Sequence, residues 1–115
     1  MKFAKITAAA AVVAASLATS AFAFDPSNTE CIAPANPGGG WDFTCRQVGK
    51  TLQDLSLVPG TMQVVNLAGG GGGIAYAEVV NKRNDENNLI VAASSATSTR
   101  LAQGAYPGNT MDQVR

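Results

Sequence analysis

Cys31-Ile32-Ala33-Pro34-Ala35-Asn36-Pro37-Gly38-Gly39-Gly40-Trp41-Asp42-Phe43-Thr44-Cys45-Arg46 contains the change of hydrophobic period on which the fold turns. Residues 31–35 form a short apolar run, read as a buried strand, and Asn36-Pro37-Gly38-Gly39-Gly40 stops it. From Trp41 the apolar side chains recur at helical spacing, through Cys45, Val48, Leu52 and Leu55. This predicts an amphipathic helix that buries those five residues, with Asp42 as its N-cap or first-turn residue and Pro59-Gly60 as its stop.

The same alternation repeats further along the chain. Residues 62–67 are apolar and β-branched, a second strand, followed at once by Gly69, Gly70, Gly71, Gly72 and Gly73. A helix is expected from about Ile74, with Ile74, Ala77 and Asn81 or Ala75 and Val79 as its alternative inner faces, and the polar residues 81–88 break it. Residues 89–93 read as a third strand, residues 94–99 as a hydroxyl-rich loop, and residues 100–103 as a short helix. The order β-loop-α-β-loop-α-β-loop-α implies an α/β fold with a parallel sheet and right-handed crossovers. Ligands of open parallel sheets sit beyond the carboxyl ends of the strands, where all three unusual loops fall.

The first residues carry a different message. Lys2 and Lys5 precede an alanine-rich apolar run, and Ala21-Phe22-Ala23 has the small-x-small pattern of a signal-peptidase site. Residues 1–23 are therefore expected to be a signal peptide cleaved after Ala23. The alternative, an uncleaved anchor, needs about 20 strongly apolar residues, and this run is short of Leu and Ile. Export predicts a periplasmic, oxidising location. Losing Lys2 and Lys5 changes the 8 basic and 8 acidic residues of the chain to 6 and 8, a weakly acidic balance ill suited to nucleic acid. The chain has no His, which excludes a Ser-His-Asp triad or a His-ligated metal within it. No cofactor and no metal are expected. Residues 24–115 offer three strands and about three helices, a thin core, which predicts part of a lobe rather than a whole protein.

The loops differ in what they can bind. Pro37, Gly38, Gly39, Gly40, Trp41 and Asp42 place backbone amides at a helix N-terminus, an arrangement suited to an anion; the alternative is a flexible connection. Trp41 either lines a pocket or staples the helix to the sheet. Asp42 and Arg46 stand four apart, so Arg46 is as well explained by a local ion pair as by a ligand. The run Gly69–Gly73 fails the dinucleotide register, since G-x-G-x-x-G needs glycine at Ala68 or Ile74. Val48-Gly49-Lys50-Thr51 mimics a phosphate-loop ending, but it lies inside the amphipathic helix and lacks the leading glycine. Cys31 and Cys45 are the only cysteines. In an exported protein they are expected to form a disulfide, with a buried free thiol on the inner helix face as the alternative.

Residues 32–46, with their Pro, glycine cluster, aromatic, Asp and following Arg, resemble the first signature of the tripartite tricarboxylate transporter substrate-binding proteins, the Bug family of periplasmic receptors. Asn66-Leu67-Ala68-Gly69-Gly70-Gly71-Gly72-Gly73-Ile74-Ala75 resembles the second signature, and residues 89–97 resemble the next strand and its Ser/Thr loop. The resemblance implies a two-lobed, Venus-flytrap receptor, of which residues 24–115 would be part of the first lobe. It also implies a monomer that captures a small di- or tricarboxylate and delivers it to integral-membrane transporter subunits. Carried onto this sequence, the ligand-binding positions are Pro37, Gly38, Gly39, Gly40, Trp41, Asp42, Gly69, Gly70, Gly71, Gly72, Gly73, Ser94, Ser95 and Thr97. Such a receptor is not an enzyme. The rival expectation is a secreted α/β hydrolase fragment with Ser94 or Ser95 as nucleophile, although no Gly-x-Ser-x-Gly elbow is present.

Overall fold

Glu30–Ala33 (β1), Gln63–Asn66 (β2) and Leu89–Val91 (β3) form a parallel three-stranded sheet in the order β2-β1-β3. These strands belong to a computed structural model that describes residues 25–113; the leader expected to end at Ala23 lies outside the described residues. Cys31 stands opposite Val64 on one side and Ile90 on the other, so β1 is central. Both its faces are covered: Cys31, Ile32 and Ala33 are all buried, as continuous apolar runs in parallel sheets require. Each strand is followed by a helix, α1 (Gly40–Asp54), α2 (Gly73–Lys82) and α3 (Ser95–Ala102). The chain is thus α/β with parallel β-α-β units, and the direction of strand addition reverses about β1.

Helix α1 forms where the sequence places it, and three of its five expected inner residues pack on the core while two do not. Cys45 is buried together with Asp42 and Gly49, and Trp41 and Leu52 pack against the same core. Val48 and Leu55, expected to be inside, are exposed. Gly49 is the reason. A methyl group there would come within 2.9 Å of the Met62 side chain, so the helix lies close against the start of β2 at a position that carries no side chain. The helix also stops before Pro59. Ser56 takes a left-handed conformation (φ 56°), and Leu57 N–H donates to Leu52 O at 2.9 Å, which closes a Schellman turn.

The core joins Cys31, Ala33, Cys45, Met62 and Ala92, with Val64 and Ile90 against it. Cys31 and Cys45 are bonded as a disulfide with their Cα atoms 5.7 Å apart. In α2 it is Ala75 that is buried while Ile74 is exposed, which selects the Ala75 and Val79 face. The hydroxyl-rich stretch read as a loop is instead the beginning of α3. Ser94 is its N-cap, its Oγ accepting from Ala96 N–H at 3.3 Å. Serine and threonine satisfy the free amides of a first turn, so their clustering marked a helix start.

Candidate functional site

The carboxyl end of β1 runs into Pro34 and the turn that starts α1, and one carboxylate organises that turn. Asp42, the third residue of α1, is 3% exposed. Its Oδ2 accepts from Gly38 N–H at 2.9 Å and from Arg46 Nε at 3.0 Å, and its Oδ1 accepts from Asn66 Nδ2 at 2.9 Å. Asn66 ends β2, and the same Nδ2 donates to Ala35 O at 3.0 Å. Asp42 therefore stitches its own loop, its helix and the end of the neighbouring strand into one unit. Gly39 caps α1 without a side-chain bond, so the carboxylate reaching back from the third position takes the place of a capping side chain.

These donors, first among them the Arg46 guanidinium and then the Gly38 amide and Asn66, hold the Asp42 carboxyl well below the usual carboxylate range. A group whose pKa is depressed by folding contributes its stability above its unfolded value, about 4, and loses it as the pH falls through the folded one. Comparing urea midpoints of the wild type and Asp42→Asn across pH 7 to pH 2 is expected to show a gap at neutral pH that narrows only below about pH 4. A gap independent of pH would mean that Asp42 acts through packing rather than charge.

The second loop leaves β2 in an unusual conformation. Gly69, Gly70, Gly71 and Gly72 all have positive φ, at 128°, 59°, 62° and 101°. Side chains rarely adopt such angles in succession, so the glycine run is required by the path of the backbone. It forms a short 3-10 turn, Gly70–Gly72, that leads directly into α2. Gly72 is buried, and a methyl on it would lie 3.5 Å from Pro34 Cβ and 3.7 Å from the Trp41 ring. Trp41 thus stands between the first two loops, half-buried. Tyr106, 2% exposed, holds the turn from below: its hydroxyl donates to Gly71 O at 2.7 Å.

The third element approaches the same turn. A methyl on Gly71 would come within 2.6–2.9 Å of the Arg100 guanidinium, which therefore lies over the bare Cα. Thr97 lines a cavity of about 340 Å³ with Pro34 and Gly72, bounded also by Tyr76, Val79 and Leu101. That cavity is mainly apolar, and a carboxylate moved into it would exchange water for few donors. The polar edge of this region is instead the exposed Gly70–Gly71 backbone with the Arg100 guanidinium over it.

The candidate residues thus fall into groups. Pro37, Gly38 and Gly40 are exposed on the first loop, with Gly39 and Trp41 half-buried and Asp42 buried beneath them. Gly69, Gly70 and Gly71 are exposed on the second loop, above buried Gly72 and half-buried Gly73. Ser94 and Ser95 are exposed at the start of α3, and Thr97 is half-buried. Cys31 and Cys45 bridge the base of the first loop from below. Among the described residues, no group of three His, Cys, Asp or Glu side chains is placed to hold a metal, and no helix is long and apolar enough to cross a membrane.

No protein-family model, no curated protein and no solved structure matches this chain.

Three residues of this geometry were not singled out in the sequence as site residues. Asn66 reaches Asp42 across 24 positions, Tyr106 reaches Gly71 across 35, and Arg100 meets the same glycine from a different helix. Only Asn66 left a trace, as a polar residue ending an apolar strand.

Proposed function

We propose that this chain is part of the first lobe of a two-lobed periplasmic solute receptor of the tripartite tricarboxylate transporter type. It captures a small di- or tricarboxylate and passes it to integral-membrane transporter subunits. It acts by binding, not by catalysis. The observation that carries this reading is the meeting of two glycine loops at the carboxyl ends of adjacent parallel strands, pinned together by the Asp42–Asn66 bond and bordered by Arg100. Exposed amides and an uncommitted guanidinium are the chemistry a carboxylate needs, and the crevice beyond the strand ends is where open α/β sheets take ligands. Asp42 serves as the internal counter-charge that shapes the first loop rather than as a ligand contact, since it is buried and accepts from Gly38, Arg46 and Asn66.

The test uses the protein expressed from its complete reading frame, without the leader. Its thermal midpoint is expected to rise with at least one member of a panel of citrate, isocitrate, succinate, malate and glutarate, by the amount RT ln(1 + [L]/Kd) sets. At a hundredfold excess over Kd this is about 2.7 kcal/mol, a shift of several degrees. An unmoved midpoint across the panel at millimolar concentrations would refute the receptor reading.

A further inference from the structure

Five basic side chains belong to the described residues, and four of them are committed. Arg46 pairs with Asp42, Lys50 with Asp54, Lys82 with Glu78, and Arg83 with Glu30 and Glu86. Arg100 is the exception: its guanidinium has no acidic partner among the described residues. Arg100 is exposed, and its guanidinium lies over Gly71 in the space a side chain there would need. The backbone on both sides of that contact is held. The Arg100 carbonyl closes a Schellman turn in which Ala105 N–H donates to it at 2.9 Å and Gly104 has φ 67°. Gly71 is held from the opposite side by the Tyr106 hydroxyl on its carbonyl. Gly70 and Gly71 are exposed, so their backbone is open to solvent beside the guanidinium.

We infer that Arg100 is the cation that selects the ligand, receiving one carboxylate of a polycarboxylate in bidentate fashion over the Gly70–Gly71 backbone. This rests on the receptor reading above and deepens it. A planar guanidinium presents paired N–H groups that match the two oxygens of a carboxylate, and lysine cannot reproduce that geometry. The lack of a side chain at Gly71 is then part of the site, since it gives the guanidinium room to lie down beside the loop amides. A ligand with a second carboxylate places it toward the exposed Gly40, since the Gly38 and Gly39 amides already donate to Asp42 and Asn36.

Isothermal titration of the complete, leaderless protein with citrate, succinate and acetate tests the inference. Arg100→Gln is expected to weaken the best-bound polycarboxylate about 10- to 100-fold, the loss that goes with one charged hydrogen-bonded contact, while leaving the urea midpoint nearly unchanged. Arg100→Lys is expected to recover only part of the affinity. Gly71→Ala, which displaces the guanidinium without removing its charge, is expected to weaken binding as well. An Arg100 that merely complements the carboxyl end of α3 would shift stability and leave affinity alone. Wild-type binding that Arg100→Gln does not alter would overturn the role of Arg100 and leave the receptor reading standing. Failure of the wild type to bind any of the three, or any acid of the wider panel, would overturn both.

Discussion

Tyr106→Ala is expected to destabilise the protein by about 3–5 kcal/mol, the range for removing a buried aromatic side chain. The ring is 2% exposed and packs beneath the glycine turn so closely that a methyl on Gly73 would meet it at 2.7 Å. It also lies against Tyr76, with ring centroids 5.7 Å apart. Tyr106→Phe keeps the packing and removes only the bond to Gly71 O, so its loss is expected near 0.5–1.5 kcal/mol. Urea unfolding of the two variants separates packing from hydrogen bonding. Because Gly71 is the seat of Arg100, Tyr106→Phe is expected to loosen ligand binding more than its small effect on stability implies. Equal stability of Tyr106→Ala and wild type would show that residues after α3 do not pack under the turn.

The double substitution Cys31→Ala with Cys45→Ala is expected to lower stability by about 3 kcal/mol on the loop-closure estimate for a 15-residue loop. The bridge ties the central strand to the first turns of α1 and encloses the whole Ala35–Gly40 connection. Its loss frees the loop that Asp42 must then order alone. Both cysteines are essentially without solvent exposure, so dithiothreitol is expected to act on the native protein only slowly and readily once urea opens it. The midpoints of oxidised wild type, reduced wild type and the double variant are the measurement. Reduction that leaves the midpoint in place would exclude the bridge as a stabilising element.

The strands were legible because their signal is local. Apolar runs at residues 31–35, 62–67 and 89–93 locate β1, β2 and β3 to within two residues at each end, and the glycines between strand and helix mark the turns. The inner face of α1 was less legible. Periodicity favours Val48 and Leu55 because they are apolar, whereas packing chose Gly49, whose value lies in having no side chain to keep Met62 away. Residues 94–99 misled in the other direction: hydroxyl side chains serve loops and helix caps alike, and only the bond from Ala96 to Ser94 decides between them.

The alternation of strand and helix, the lack of histidine, and the two glycine-rich loops after two strands are all local features of the chain. Those properties depend on residues within a few positions of one another, where backbone preference and hydrophobic period act directly. Packing across the fold makes Asp42 accept from Gly38, Arg46 and Asn66, sets Tyr106 under Gly71, and leaves Arg100 beside the same glycine with no acid among the described residues. Each of these joins segments that only sheet pairing and helix packing bring together, and a contact made across folded space leaves no period in the chain.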